Sequence, residues 1–296
     1  MIEYLGKIAV GTSNPPQAEV MQLLDGYEVV PNPYKRKLTE DEIIAHLLGC
    51  VGLLAGLEPL NEKVFSACSE LKAIARVGIG VDNVDLAAAE KHNIKVSNTP
   101  DAPTYAVAEM TLAALLAIVR QIPFANSDIH AGNWKKRMGF SVRSSKILLI
   151  GYGRIAREFE RLLEPFGVEI LKYDPCSLPN GTPLDELLPL ADAVSLHAAG
   201  NEQVIGMEKL SLFKDGAVLL NTARGGLVDE GAIYDALKSG KLGYYYADTF
   251  SAEPYSGILA ELDNAILTPH IATQTKLCRV EMEIQAVNNL LRDLNE

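Results

Sequence analysis

Three polar residues, Arg224, Glu253 and His270, each stand where an apolar run ends: Val218 to Ala223, Tyr244 to Phe250 and Ala265 to Pro269. Such runs read as strands, and the carboxyl ends of strands in an open parallel sheet are where ligands bind. A cation, a carboxylate and an imidazole delivered to one such edge can orient an oxyacid and move a proton. Histidine changes charge near neutral pH, and a neighbouring carboxylate favours its charged form. Taken singly, Arg224 and Glu253 fit a surface ion pair equally well, and His270 fits a turn cap. Chemistry is favoured by their place behind the glycine-rich segment Gly151-Tyr152-Gly153-Arg154-Ile155-Ala156.

That segment follows Lys146 to Ile150 and precedes Arg157 to Phe166, which reads as strand, tight turn and helix. The first glycine permits the turn, the second lets the backbone approach a pyrophosphate, and a small third residue lets helix and strand pack closely. The phosphates would sit at the helix N-terminus. Alone, the pattern also fits an ordinary strand-to-helix turn. The next strand, Glu169 to Tyr173, ends at Asp174, 23 residues after Gly151. That is near the offset of about 20 expected for a carboxylate on the adenosine ribose. Asp174 can accept hydrogen bonds from ribose hydroxyls and repels a 2′-phosphate, so NAD is expected rather than NADP.

The elements that must position these residues alternate along the chain, short apolar strands with amphipathic segments, the pattern of parallel sheets with helices on both faces. Expected strands are Lys7 to Gly11, Tyr27 to Val30, Val51 to Ala55, Ala73 to Val77 and Ile94 to Ser97 in a first series. A second series runs Lys146 to Ile150, Glu169 to Tyr173, Ala193 to Leu196, Ala217 to Leu220, Tyr244 to Ala247 and Ala265 to Leu267. Helices are expected over Thr39 to Leu48, where Thr39 and Glu42 have capping-box spacing, over the apolar stretch Thr104 to Gln121, and over Thr275 to Leu294. The apolar helix is too hydrophobic to face water on most sides and is expected between domains or subunits. With 296 residues, the prior is two domains.

Composition narrows the partners. A formal charge of -11 argues against nucleic acid or an anionic membrane surface, so an anionic substrate needs a local basic pocket. The four cysteines show no paired metal spacing, no metal site is expected, and they read as reduced thiols of a cytoplasmic protein. The longest apolar run, Met110 to Val119, falls well short of the roughly 20 residues that span a bilayer, and the N-terminus does not read as a secretion signal.

The chain resembles the NAD-dependent D-2-hydroxyacid dehydrogenases, most closely their D-3-phosphoglycerate dehydrogenase branch. The resemblance is carried by Ala75 to Asp85 (Ala-Arg-Val-Gly-Ile-Gly-Val-Asp-Asn-Val-Asp), by Asn98 to Thr104 leading to Ala106 to Glu109, and by Gly151 to Ile155. It continues through Asn221 to Asp229, Asp248 to Pro254 and Thr268-Pro269-His270. It implies an α/β fold of two doubly wound parallel-sheet domains, a Rossmann NAD-binding domain over residues 99–271 inserted into a flavodoxin-like substrate domain of residues 1–98 and 272–296. It also implies a homodimer built around the long helix. Arg224 would bind the carboxylate and 2-oxo group of a small anionic 2-hydroxyacid or 2-oxoacid, His270 would donate or accept the proton, and Glu253 would hold and charge His270. Asp248 would hold the nicotinamide carboxamide, while Thr104, Arg154, Ile155, Asp174, Thr222 and Ala223, with Gly151 and Gly153, would line the cofactor. Gly78-Ile79-Gly80 would grip the substrate carboxylate, and Arg76 would be one arm of that branch's phosphate clamp.

Departures bear on the substrate. The phosphoglycerate branch usually carries a phosphate-binding arginine about where Gly56 stands in Leu54-Ala55-Gly56-Leu57-Glu58. Lys35, Arg36 and Lys37, or Lys135, Lys136 and Arg137, could supply that charge or be solvated faces. Because the last helix lies so near the end of the sequence, a short form without the regulatory domain that many of that branch append is expected. Tyr244-Tyr245-Tyr246 could shape the pocket or pack in a core. The rival reading is an NAD-responsive scaffold of the corepressor kind. It is disfavoured because all three catalytic positions are occupied and no disordered interaction tail is visible.

Overall fold

The computed structural model describes residues 4–296. The chain divides into two compact units, one ending at Pro103 and resuming at Gln274, the other running Thr104–Thr273. These breaks lie a few residues beyond the positions read from the sequence.

The first unit holds strands β1 (Lys7–Val10), β2 (Glu28–Val30), β3 (Gly52–Ala55), β4 (Ala73–Arg76) and β5 (Lys95–Ser97). They pair in parallel in the order β2-β1-β3-β4-β5, which is flavodoxin-like. Ile8 lies opposite both Val29 and Gly52, so the chain leaves β1 on one side and returns to β3 on the other. Divergence at that point opens a crevice at the carboxyl ends of β1 and β3. Ala9, Leu53, Ala55 and Ile74 join one buried cluster, and their neighbours Ile8, Val10, Leu54 and Ala75 are equally buried. A short strand buried on both faces must be apolar throughout, as these are. Thr39 and Glu42 form the expected capping box of helix Glu40–Leu47, and helix Lys276–Asn295, capped by Thr275, packs against β3, β4 and β5.

The second unit holds β6 (Lys146–Ile150), β7 (Glu169–Tyr173), β8 (Ala193–Leu196), β9 (Ala217–Asn221), β10 (Leu242–Ala247) and β11 (Ala265–Leu267), all parallel, in the order β11-β10-β9-β8-β6-β7. The usual dinucleotide-binding order places a third strand outside the second. Here the chain leaves β7 through a turn and the short helix Leu184–Leu187, then returns directly to β8 on the other flank of β6. The switch point therefore falls between β6 and β8. Alternation along β6 is clean: Leu148 and Ile150 join the core on one face, Ile147 and Leu149 that on the other. On the second face lies the buried side of helix Pro103–Val119, with Ala108, Leu115, Ile118 and Val119 against Phe159 and Leu163 of helix Arg154–Leu163. The long helix stops short of Gln121 because that residue turns left-handed, with φ 59°. Pro103, rather than Thr104, opens it, since proline already has helical φ and lacks only an N–H that the first turn cannot use.

Candidate active site

β10 and β11 pair with Ala247 opposite Leu267, so the loops that follow them emerge side by side. Those loops bring His270 and Glu253 together: His270 Nδ1 lies 3.0 Å from Glu253 Oε2. Both are partly open to solvent, at 48% and 35% side-chain exposure. The other oxygen of Glu253 accepts from the Phe250 amide at 3.0 Å, which fixes the carboxylate's orientation. His270 has a left-handed backbone, φ 53°, an uncommon conformation for a residue with a side chain. Asp248 holds it there. This carboxylate is fully buried and accepts from Thr268 Oγ1 at 2.6 Å and from the amides of Ile271 and Ala272, both at 2.9 Å. Tyr246 extends the network through its hydroxyl, 2.8 Å from Thr268 Oγ1. Burial pushes the Tyr246 phenol up to about 12, so it stays neutral.

Arg224 follows β9 and is half-buried. Asn221 shapes its turn by accepting from the Ala223 amide at 3.1 Å and donating to the Arg224 carbonyl at 2.9 Å. Arg224 Nη1 donates to Ala223 O at 2.9 Å. The next residue, Gly225, touches the loop after β10 so closely that a Cβ there would collide with the backbone of Phe250 and Ser251. The arginine loop and the glutamate loop are thus in backbone contact. Thr222 is buried, with its hydroxyl 2.9 Å from Thr111 of the long helix. Thr104 lies half-buried on that helix's first turn.

At the β6/β8 switch point, Gly151 has φ 86° and no room for a side chain, because a Cβ would collide with the backbone of His197 and Ala198. A Cβ at Gly153 would meet nothing within 4 Å. The second glycine therefore faces open space at the head of helix Arg154–Leu163, where Arg154 is exposed and Ile155 half-buried, and the turn fits a pyrophosphate. Asp174 accepts from the Tyr152 amide at 2.8 Å and from the Cys176 and Ser177 amides at 2.9 and 3.0 Å. Burial works against its charge, but the Ser177, Tyr152 and Cys176 amides outweigh it and hold the carboxyl down at about 2. Asp174 thus sits ionised beside the glycine turn. Close by, His197 lies 2.9 Å from Ser195 Oγ, and burial drives its ring down to about 3, so it is neutral.

In the first unit, the Gly78 amide donates to Thr99 Oγ1 at 2.8 Å, and Asn98 Nδ2 donates to Ile79 O at 2.7 Å. Those bonds fix the loop Gly78-Ile79-Gly80 after β4. Arg76 is half-buried and its Nη1 donates to Val77 O. Of the basic runs considered for a phosphate, Arg36 is held by Glu42 at 2.6 Å and Arg137 by Asp128 at 2.6 Å. Tyr245 and Tyr246 are each 1% exposed in the cores on opposite faces of the sheet, and Tyr244 packs on Phe124 with ring centroids 5.0 Å apart. Tyr244 and Tyr245 are packing residues, and Tyr246 adds its hydroxyl contact with Thr268 to the same packing role. Two residues that sequence reasoning left without these roles stand out: Asp248 as the anchor of the His270 turn, and Glu58, fully buried where β3 ends. Among the described residues, no three His, Cys, Asp or Glu side chains converge as metal ligands, and no single helix is long and apolar enough to cross a membrane.

Residues 112–272 match the family model described as "D-isomer specific 2-hydroxyacid dehydrogenase, NAD binding domain". A D-3-phosphoglycerate dehydrogenase of Rattus norvegicus is 34% identical over 96% of this chain and 56% of its own length. The chain thus spans little more than half of that relative. A hydroxypyruvate reductase of Thermotoga maritima is 32% identical over 98% of this chain and 99% of its own. Among solved structures, the TT0316 protein of Thermus thermophilus superimposes with a TM-score of 0.89 at 34% identity, covering 98% of this chain and 97% of the other.

Proposed function

The chain belongs to the D-isomer specific 2-hydroxyacid dehydrogenase family, and from that premise we propose that it interconverts a small 2-oxoacid and its D-2-hydroxyacid with NAD as cofactor. The observation that carries this reading is the His270–Glu253 pair, 3.0 Å apart on loops that Asp248 and Gly225 tie together beside Arg224. An imidazole, a carboxylate and a guanidinium at the carboxyl edge of a nucleotide-type sheet make a proton-transfer site with an anion-binding arm.

In the reducing direction, a reduced nicotinamide supplies hydride for the 2-oxo carbon. With Nδ1 engaged by Glu253, His270 gives its proton from Nε2 to the forming hydroxyl. Arg224 binds the substrate carboxylate and stabilises negative charge growing on the oxo oxygen. In the reverse direction neutral His270 takes the hydroxyl proton. Residues Gly151 to Ile155, with Thr104, Thr222, Ala223 and Asp248, hold the cofactor, and Asp174 selects NAD by repelling a 2′-phosphate. The unit Thr104–Thr273 is then the cofactor domain, and the Gly78-Ile79-Gly80 loop and Arg76 of the other unit bind substrate.

The same reading makes the protein a cytoplasmic homodimer. Its support is a run of exposed apolar side chains after the long helix: Ile122 59%, Ile129 54%, Trp134 85% and Met138 93%. Surfaces of that kind on a soluble chain mark an interface. Incubation with NADH and a panel of 2-oxoacids, followed by chiral chromatography, tests the function. The reading requires the D-isomer as sole product; the L-isomer, or no hydroxyacid, overturns it.

A further inference from the structure

Glu58 is a carboxylate with an unusual place. It stands in the loop that leaves β3, is 0% exposed, and draws both its oxygens onto the Gly56 amide at 3.0 and 3.1 Å. On the other side it presses against Gly11, the first residue after β1, where a Cβ would collide with the carboxylate. The side chain is therefore wedged between the exits of β1 and β3, the crevice in which an open sheet of this strand order takes its ligand. The frame around it is stiff. Asn83 Nδ2 donates to Glu58 O at 2.6 Å, the Leu60 amide to Asn83 O at 2.9 Å, and Asn32 Nδ2 to Gly11 O at 3.0 Å. A buried carboxylate is costly without compensation. Burial outweighs the backbone amides and the positive charges of Arg76 and Lys37 and holds the Glu58 carboxyl above the ordinary carboxylate range. The chain's own carboxylate thus occupies the amide that an anionic ligand would use.

We propose that Glu58 sets substrate specificity: it fills this crevice and takes its donor, so the enzyme reduces 2-oxoacids with an uncharged distal group and excludes those with a phosphate there. The inference rests on the reading of the chain as a 2-oxoacid reductase. β4, whose loop is assigned to the substrate carboxylate, is the immediate neighbour of β3. A short acid anchored at the β4 loop therefore extends its distal carbon toward the β3 loop. A phosphate placed there finds the Gly56 amide taken and the space against Gly11 filled by the Glu58 carboxyl group, the obstructing element by which a site rejects a competitor.

The test compares kcat/KM for NADH oxidation with hydroxypyruvate and with 3-phosphohydroxypyruvate in the wild type, Glu58→Gln and Glu58→Ala. The wild type should favour the unphosphorylated acid by about 100-fold, and Glu58→Ala should cut that ratio by about tenfold or more, with Glu58→Gln, which keeps the shape, in between. Preference of the wild type for the phosphorylated acid, or a ratio that neither variant moves, overturns the proposal. Calorimetric titration with inorganic phosphate separates this outcome from failure of the parent reading. If no 2-oxoacid is turned over, the reductase assignment falls, yet Glu58→Ala should still gain phosphate binding that the wild type lacks. No phosphate binding in either protein then contradicts the role of Glu58.

Discussion

Asp174 joins two functions in one carboxylate: it fixes the turn through three backbone amides, and it places a negative charge at the end of β7. Its carboxyl is depressed to about 2, so those bonds are complete above the ordinary aspartate range and are lost only as pH falls through about 2. Cofactor choice should therefore not change across neutral pH. Asp174→Ser should raise kcat/KM for NADPH relative to NADH by about tenfold or more, since one removed charge of this kind is worth at least about 1.4 kcal/mol. An unchanged ratio would remove Asp174 from cofactor selection. Glu253 is a different case. As a partly exposed pair with His270 it contributes about 1 kcal/mol or less to stability, so its replacement should be read in kinetics rather than in melting. Glu253→Gln keeps an acceptor but drops the negative charge facing the ring. Reduction should then lose about tenfold in kcat, with NADH binding and Tm nearly unchanged. A kcat equal to that of the wild type would show that the charge of Glu253 takes no part in the proton transfer.

Among the elements, the decisive contact is between loops. Gly225 lets the loop after β9 lie on the backbone of Phe250 and Ser251, and backbone cannot swing aside as a side chain can. Gly225→Ala should push Arg224 away from the Glu253 loop and lower kcat/KM by about 100-fold, the cost of a displacement near 1 Å, while circular dichroism stays that of the wild type. Retained activity would mean that the two loops act independently. The strands that carry these loops were legible because a short strand covered on both faces must be apolar from end to end, as Leu148-Leu149-Ile150 and Val218-Leu219-Leu220 are. Asp174 was legible through its spacing from Gly151. The partners of Asp248 were not, because the pairing of Ala247 with Leu267 decides which amides reach it. Nor was the burial of Glu58, which depends on β1 lying beside β3.

For the molecule as a whole, charge and apolar surface point in different directions. A formal charge of -11 weighs against polyanionic partners, while the exposed Trp134 and Met138 are the surface on which the proposed dimer rests. Sedimentation should give twice the 32.1 kDa of the chain, and Trp134→Glu with Met138→Glu should return it to one copy; a wild-type monomer at micromolar concentration would end the dimer assignment. The central claim concerns His270, and turnover measured beside cofactor binding tests it most directly. Purified protein and His270→Ala should be compared for NADH oxidation with 2-oxoacids and, in the same samples, for NADH binding by fluorescence. We predict that His270→Ala binds NADH as the wild type does and loses about 100-fold to 10,000-fold in kcat, the range of a lost general acid. A variant that binds NADH and turns over at the wild-type rate would contradict the account.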